Sequence, residues 1–478
     1  PDFGFNGVFD RFSQIEPKLL VTVDGYFYAG KKISRVDVIR QLKEKLPSLV
    51  HILVHDYSGN ASDLVSEPKI SLYSDALKHS PIEEYTPVKF NDPLYILYSS
   101  GTTGAPKCIV HSVGGTLLQH IKEHRLHSNI TKNASVFYFT TCGWMMWNWL
   151  VSSLAIQAKI VLFEGNPFYP GPERIWKMAE QEKLYLLGTS AKFIDASRKS
   201  GIYPKKIANL TNLKVICSTG SPLNVEGFDF IYKHVKTNVQ LASISGGTDI
   251  VSCFVLGCPT RPVYAGEIQC RGLGMDVVIL SEQGISLKGE QGELCCKSAF
   301  PSMPIGFWND PDGSKYHSAY FEMFDNVWRH GDWATLSEND GIIIHGRSDA
   351  TLNPGGIRIG TAEIYRPVES FNEIIEALVI GQNINDDVRI ILFVRLKDGI
   401  LLDDELKNRL KKEIRAKATP RHVPEVIIAV KDIPRTRSGK ITELAVRDVI
   451  HNKDVKNTEA LANPEALELF KNLPELVI

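Results

Sequence analysis

The sequence predicts an α/β protein with a large domain of parallel-type sheets and helices, a barrel-like β subdomain, and a small α+β domain at the carboxyl end. Three observations carry this. Short apolar runs ending in Gly, Ser or Thr alternate with helical patterns through the first half. From about Asp276 strands follow one another across turns without long helices between them. Past Asp349 strands and helices mix again, over a stretch the size of a small domain. A chain of 478 residues also exceeds what one core organises, since domains typically hold about 100–200 residues. The division falls into residues 1–348 and 349–478.

Residues 93–98, 159–163, 184–187, 213–217 and 240–244 read as buried strands. Each is followed by small or polar residues, where a ligand-facing loop would sit; open α/β sheets bind ligands beyond the carboxyl ends of their strands. Residues 276–280, 293–297 and 341–345 read as strands of the antiparallel subdomain. In the last domain 389–396 is a β-rich run, and 404–418 places Leu406, Leu410 and Ile414 on one helical face. Thr419-Pro420 stops that helix, and 426–430 is a further strand.

Bulk composition narrows the partners. Apolar residues make up 43% and charged residues 23%, with a net charge of −1, so there is no global basic field for nucleic acid or an anionic membrane. The eight cysteines include no CxxC pair, and adjacent Cys295 and Cys296 point to opposite faces of a strand; a reduced, cytoplasmic compartment without a zinc site is expected. Sequons at Asn60, Asn129, Asn133 and Asn209 are read as chance triplets. No signal peptide is read at Pro1-Asp2-Phe3-Gly4. The apolar stretch 143–163 is interrupted by Asn148, Gln157 and Lys159, and a membrane span needs roughly 20 predominantly apolar residues.

The strongest local signal is Tyr98-Ser99-Ser100-Gly101-Thr102-Thr103-Gly104-Ala105-Pro106-Lys107, directly after a strand. Hydroxyl side chains and glycines let backbone N–H groups close around phosphate oxygens, and Lys107 adds a point charge. A Walker A loop requires Gly-Lys-Ser/Thr, whereas Ala-Pro separates Gly104 from Lys107 here. The bland alternative is a Ser/Gly surface loop, and the full decapeptide argues against it.

This decapeptide resembles the phosphate loop of the adenylate-forming superfamily, which includes acyl-CoA synthetases, luciferases and peptide-synthetase adenylation domains. Later segments follow in the family's order. Gly220-Ser221-Pro222 resembles the loop along the adenine, and Ser245-Gly246-Gly247-Thr248-Asp249 the segment that usually ends in Thr-Glu. His330-Gly331-Asp332-Trp333 resembles the Thr-Gly-Asp segment that holds the ribose. Gly346-Arg347-Ser348-Asp349, Gly355-Gly356-Ile357-Arg358 and Thr361-Ala362-Glu363-Ile364 resemble the hinge region of the acetyl-CoA synthetase branch, and Pro434-Arg435-Thr436-Arg437-Ser438-Gly439-Lys440 its catalytic loop. The segment from Thr141 to Trp147, the Ser245–Asp249 run and the tail Asn457–Glu465 are most similar to the acetoacetyl-CoA synthetase family within that branch.

The resemblance implies ATP, Mg²⁺ and coenzyme A as cosubstrates, with acetoacetate or a similar short acid as the group activated. It implies that a carboxylate attacks the α-phosphate of ATP and that a thiol then displaces AMP. Ser99, Ser100, Gly101, Thr102, Thr103, Gly104 and Lys107 would hold phosphates, with Gly220, Ser221, Pro222, Gly247 and Thr248 along the nucleotide. Asp332 would accept from both ribose hydroxyls, and Arg347 and Arg358 would reach phosphate or ribose. Lys440 would bridge carboxylate and α-phosphate, where charge gathers, with Thr248 and Lys107 assisting. Asp249 would help to hold Mg²⁺, although the family more often carries Glu there. Asp349 is the expected hinge about which a mobile small domain swings, bringing Gly355 and Gly356 along the pantetheine in the second pose.

Trp144 is expected beside the acyl pocket and Gly246 at its floor, because acetyl-CoA synthetases carry Trp at the position of Gly246. Asp2-Phe3-Gly4 through Arg11-Phe12 resembles a point already inside the family's large domain, so the amino-terminal part of that domain is expected to be missing and an exposed apolar face or sheet edge to remain. Two other readings stand beside this one. A peptide-synthetase adenylation domain would need a carrier domain that the sequence lacks; a non-catalytic nucleotide-binding protein would exchange no pyrophosphate.

Overall fold

The structure, a computed structural model, describes residues 1, 3–98, 106–352, 354, 359–384, 387–437, 439–455 and 458–477. At its centre is a five-stranded parallel sheet in the order Gln240–Ser243, Val215–Thr219, Leu186–Ser190, Ser135–Tyr138, Lys159–Val161. Side chains alternate across it. Phe137, Leu187, Ile216 and Leu241 enter one apolar core, while Val136, Tyr138, Leu186 and Val215 enter the other. A sheet covered on both faces needs such continuous apolar runs, which is why these strands stand out in the sequence.

Helices leave the carboxyl ends of strands through side-chain caps. Ser190 closes its strand and caps Ala191–Lys199 by accepting from the Phe193 amide; Ser112 caps Val113–Lys122 in the same way from Gly115. An accepting hydroxyl at this position satisfies an orphan helix N–H.

The strand Pro93–Tyr98 departs from the expectation of a buried parallel strand. It pairs antiparallel with Cys108–Ser112, which pairs in turn with Gly306–Phe307, and its own side chains are exposed or half-buried. Ile82, Tyr85, Val88 and Phe90, just before it, are also exposed. A separate parallel sheet of Leu19–Val23, His51–His55 and Ile70–Leu72 lies nearer the amino end.

The antiparallel subdomain is a four-stranded sheet in the order Val277–Leu280, Gln291–Cys296, Trp328–Leu336, Ile342–Arg347. Its core ends at Ile344, and the next begins at Leu352. The small domain is built on Ile374–Ile384 paired antiparallel with Asp387–Leu396, and Val426–Ala429 pairs parallel beyond it. Val379, Ile390, Leu392 and Val394 face one core and Leu378, Ile380, Ile391 and Phe393 the other. The helix Asp404–Lys417 buries Leu406, Leu410 and Ile414 as its spacing requires. Among the described residues no helix is long and apolar enough to cross a membrane.

Candidate active site

A cleft of about 710 Å³ opens between the two domains. The large domain contributes the loop Gly220, Ser221 and Pro222 after the strand Val215–Thr219, and Ser245 and Gly246 after Gln240–Ser243. Both segments lie at the carboxyl ends of parallel strands, where the pleat ends and backbone groups become free for a ligand. Asp332 and Arg347 complete that wall, while Glu376, Arg435 and Lys440 face it from the small domain.

Asp332 is buried on the strand Trp328–Leu336. Its Oδ2 accepts from Ser245 Oγ at 3.3 Å, and its Oδ1 accepts from Arg347 Nη1 at 3.1 Å. Gly331 makes the second contact possible. It has φ +82, and a Cβ there would lie 2.7 Å from Arg347 Nη2. Burial works to lower the Arg347 pKa, but Asp332, then Asp349 and Asp249, raise it above its ordinary value. The guanidinium therefore stays charged with three carboxylates around it.

Asp249 stands in the short helix Thr248–Ile250. Its Oδ1 accepts from Lys107 Nζ at 3.1 Å and from Tyr320 Oη at 2.5 Å. Burial opposes ionisation, but Lys107 and Tyr320 hold the carboxyl below its usual range. Lys107 is seated over the Tyr320 ring, 5.0 Å from its centroid, and Tyr320 stacks on Trp328 at 3.7 Å. Sequence reasoning missed Tyr320, which belongs to a short helix with no motif of its own.

His111 was also missed. Its Nε2 lies 3.0 Å from the Thr248 carbonyl, which can only accept, so Nε2 carries the proton. Burial lowers its pKa to about 4, leaving a neutral ring that fixes the turn bearing Thr248 and Asp249.

Among the described residues no three His, Cys, Asp or Glu side chains form a metal cage. Asp249 fits Mg²⁺ in another way, because among the described residues its Oδ1 carries both hydrogen bonds and Oδ2 carries none. Mg²⁺ commonly takes one or two carboxylates and completes its shell with phosphates and water.

Lys440 reaches the same cleft. Its amide donates to Thr436 Oγ1 at 3.0 Å and its carbonyl accepts from the Thr436 amide at 2.7 Å, closing the turn that presents it. Enclosure by the cleft, then Arg347, lowers its pKa; Asp332 and Asp249 work the other way. Asp349 lies at the start of the crossing between domains, its Oδ1 3.6 Å from Arg347 Nε and its carbonyl accepting from Arg447 Nη1 of the small domain at 3.4 Å. The loop Ser99, Ser100, Gly101, Thr102, Thr103 and Gly104, together with Gly355, Gly356 and Arg358, lies outside the described residues.

Two residues expected at the acyl pocket have defined surroundings. Trp144 does not line this cleft; it packs half-buried against the edge of Tyr138, ring centroids 5.9 Å apart, on the core side of the sheet. Gly246 does line it, but a Cβ there would lie 2.1 Å from Ser252 O and 2.5 Å from Cys253 Cα. The bare Cα is required by the neighbouring strand, and its missing side chain does not open space into the cleft.

The profile of the AMP-binding enzyme family matches residues 3–305, and that of the AMP-binding enzyme C-terminal domain matches residues 368–440. The acetoacetyl-coenzyme A synthetase of Rhizobium meliloti (strain 1021) is 55% identical over 478 residues, covering 100% of this chain and 73% of that protein. The acetoacetyl-CoA synthetase of Gallus gallus is 44% identical over 485 residues, covering 100% of this chain and 73% of its own. The solved acetoacetyl-CoA synthetase from Streptomyces lividans superposes with a TM-score of 0.92 at 41% identity, covering 98% of this chain and 72% of that one.

Proposed function

The chain belongs to the AMP-binding enzyme family, and from that premise we propose that it joins acetoacetate to coenzyme A in two half-reactions at the cleft described above. In the first, the acetoacetate carboxylate attacks the α-phosphorus of ATP, giving acetoacetyl-AMP and pyrophosphate. In the second, the thiol of coenzyme A attacks the acyl carbon, the acyl–phosphate bond breaks, and AMP leaves.

The observation that carries this reading is the meeting of Lys440 with Asp332 and Arg347 in one cleft although they come from different domains. Asp332 would turn carboxylate oxygens to the ribose hydroxyls, and the Arg347 guanidinium holds it in place. Gly220, Ser221 and Pro222 line the adenine end. Lys440 supplies positive charge between the incoming carboxylate and the α-phosphate, where fixed donors are most effective because they need no reorganisation. Lys107 is held at the phosphate end by Asp249 and the Tyr320 ring. Mg²⁺ bound there would neutralise phosphate charge, with Asp249 Oδ2 as its protein contact.

This arrangement corresponds to the first half-reaction, since Lys440 is inside the cleft. In the second, the small domain would turn about Asp349 and Lys440 would withdraw; Gly355 and Gly356, expected along the pantetheine, lie outside the described residues. All eight cysteines carry free thiols, which supports a cytoplasmic location.

The test is acid-dependent exchange of pyrophosphate into ATP, followed by thioester formation, over a panel of short acids. Acetoacetate should support both. Exchange with another acid alone would reassign the substrate, and exchange with none would remove the enzymatic reading.

A further inference from the structure

The geometry points to Glu376 as the positioning residue that couples closure of the small domain to placement of Lys440, through a bridge from Lys192 in the large domain to Arg435 in the catalytic loop. Glu376 is buried near the start of the strand Ile374–Ile384. One of its oxygens, Oε1, accepts from Lys192 Nζ on the helix Ala191–Lys199 of the large domain. The other, Oε2, accepts from Arg435 Nη2 at 2.9 Å. Arg435 is held further by Asp432 Oδ1 at 2.6 Å and by the Ile433 carbonyl at 3.0 Å. It begins the short segment whose turn presents Lys440.

A second contact makes this a built interface. Lys199, seven residues after Lys192 and therefore on the same helical face, donates from Nζ to the Ile374 carbonyl at 3.1 Å. One face of one helix thus grips the beginning of the strand at two points. All of Lys192, Lys199, Glu376, Arg435 and Lys440 line the cleft.

The arrangement is specific to this pose. Glu376 and Arg435 both belong to the small domain and travel together when it swings, whereas Lys192 stays behind. Leaving the adenylating pose therefore breaks the Lys192 arm of the bridge at the same time as it withdraws Lys440. With the carboxylate removed, Arg435 keeps Asp432, but Lys192 and Arg435 face one another across the closing surface without the anion that joins them. Removing the shared anion leaves two like charges facing each other, and that repulsion opposes closure alone. Glu376 touches no reacting atom; it acts through Arg435 and the loop.

The half-reaction readout rests on the proposed acetoacetate activation, so a readout independent of any acid accompanies it. Glu376→Gln and Lys192→Met are made in the full chain. Three quantities are measured: acetoacetate-dependent pyrophosphate exchange, thioester formation from supplied acetoacetyl-adenylate and coenzyme A, and the distance between spin labels on the two domains with ATP present. Both variants should exchange pyrophosphate about 5–150-fold more slowly, the usual range of a coupling between two states. Thioester formation should be unchanged and the label distances should lengthen. Equal loss in both half-reactions, loss in neither, or unchanged label distances would overturn the bridge. Lengthened distances in a chain whose unaltered form exchanges no pyrophosphate with acetoacetate would leave the bridge standing and remove the substrate reading. Lys192→Met decides the matter if Glu376→Gln does not fold, because its side chain is 36% exposed.

Discussion

Arg347 and Asp332 are register partners on adjacent antiparallel strands, and Arg347 Nη1 lies 3.1 Å from Asp332 Oδ1. The pairing explains why the carboxylate proposed to hold the ribose lies beside a guanidinium. Strand register brings the two together, Gly331 clears the space between them, and Ser245 takes the other oxygen. The side chain is thereby held in one orientation by contacts on both oxygens.

Asp332→Asn should therefore weaken ATP binding and leave the acid's affinity unchanged. The amide offers one acceptor where the carboxylate offers two, and Arg347 loses its closest anion. Hydrogen bonds to charged groups contribute about 1.5–3 kcal/mol, so KM for ATP should rise roughly 10- to 100-fold in pyrophosphate exchange. A parallel rise in KM for acetoacetate would place Asp332 at the acid and not at the ribose.

Lys440→Ala should remove adenylation and spare thioester formation from supplied acetoacetyl-adenylate. On the proposed swing of the small domain, the lysine shares the cleft with Asp332 and Arg347 only in the adenylating pose, so its charge would serve one of the two steps. Losing such a contact to a developing charge costs about 10²–10³ in rate. Comparable losses in both half-reactions would contradict the division. Acylation of the Lys440 amine removes its charge and should act as the substitution does.

Legibility in the sequence followed local cause. Strands buried on both faces, such as Val215–Thr219, and the helix face of Leu406, Leu410 and Ile414 were readable because burial leaves a period in the chain. Asp332 and Lys440 were readable because motif order names them. Pro93–Tyr98 reads as a buried strand, but its antiparallel partner is not legible, because an apolar run carries no information about what it pairs with. Tyr320, His111 and Glu376 were invisible for a related reason. Each acts on a residue far away in sequence, with separations of 71, 137 and 184 residues to Asp249, Thr248 and Lys192, and no spacing rule reaches across such distances.

Closure should depend on pH through Glu369. Enclosure at the domain interface, followed by the Asp195 carboxylate, raises its pKa to about 7; Lys199 and Lys192 counteract this and Glu376 adds to it. The closed pose thus binds a proton that an ordinary carboxylate, at 4.5, would have released. The stabilisation is complete below that ordinary value and is lost as pH rises through about 7. Rates of adenylation relative to thioester formation should therefore fall from pH 6 to pH 8, after correction for the free thiol of coenzyme A. Glu369→Gln cannot ionise and should flatten that trend. A trend of the same size in the variant would assign it to another group.

Gly246 supports a prediction opposite to the one its family position suggests. If the missing side chain enlarged the acyl pocket, Gly246→Trp would block acetoacetate and leave acetate acceptable. The backbone argues otherwise, because Gly246 pairs with Cys253 at an irregularity in the ladder and its Cβ direction meets the Ser252 carbonyl at 2.1 Å. The neighbouring strand has little freedom to yield. Gln119 Nε2 donates to Ser252 Oγ at 2.8 Å, and Ser252 Oγ donates to the Glu123 carboxylate, which also accepts from Trp149 Nε1 at 2.8 Å. Moving the strand would strain a buried polar network whose members are costly to leave unpaired. Even Gly246→Ala should cost about 1–3 kcal/mol through overpacking, lowering the thermal midpoint and reducing turnover of both acids together. Gly246→Trp should fail to fold. A folded Trp variant that had lost acetoacetate and kept acetate would restore the glycine to the floor of the acyl pocket, because only a ring able to enter the cleft could discriminate in that way.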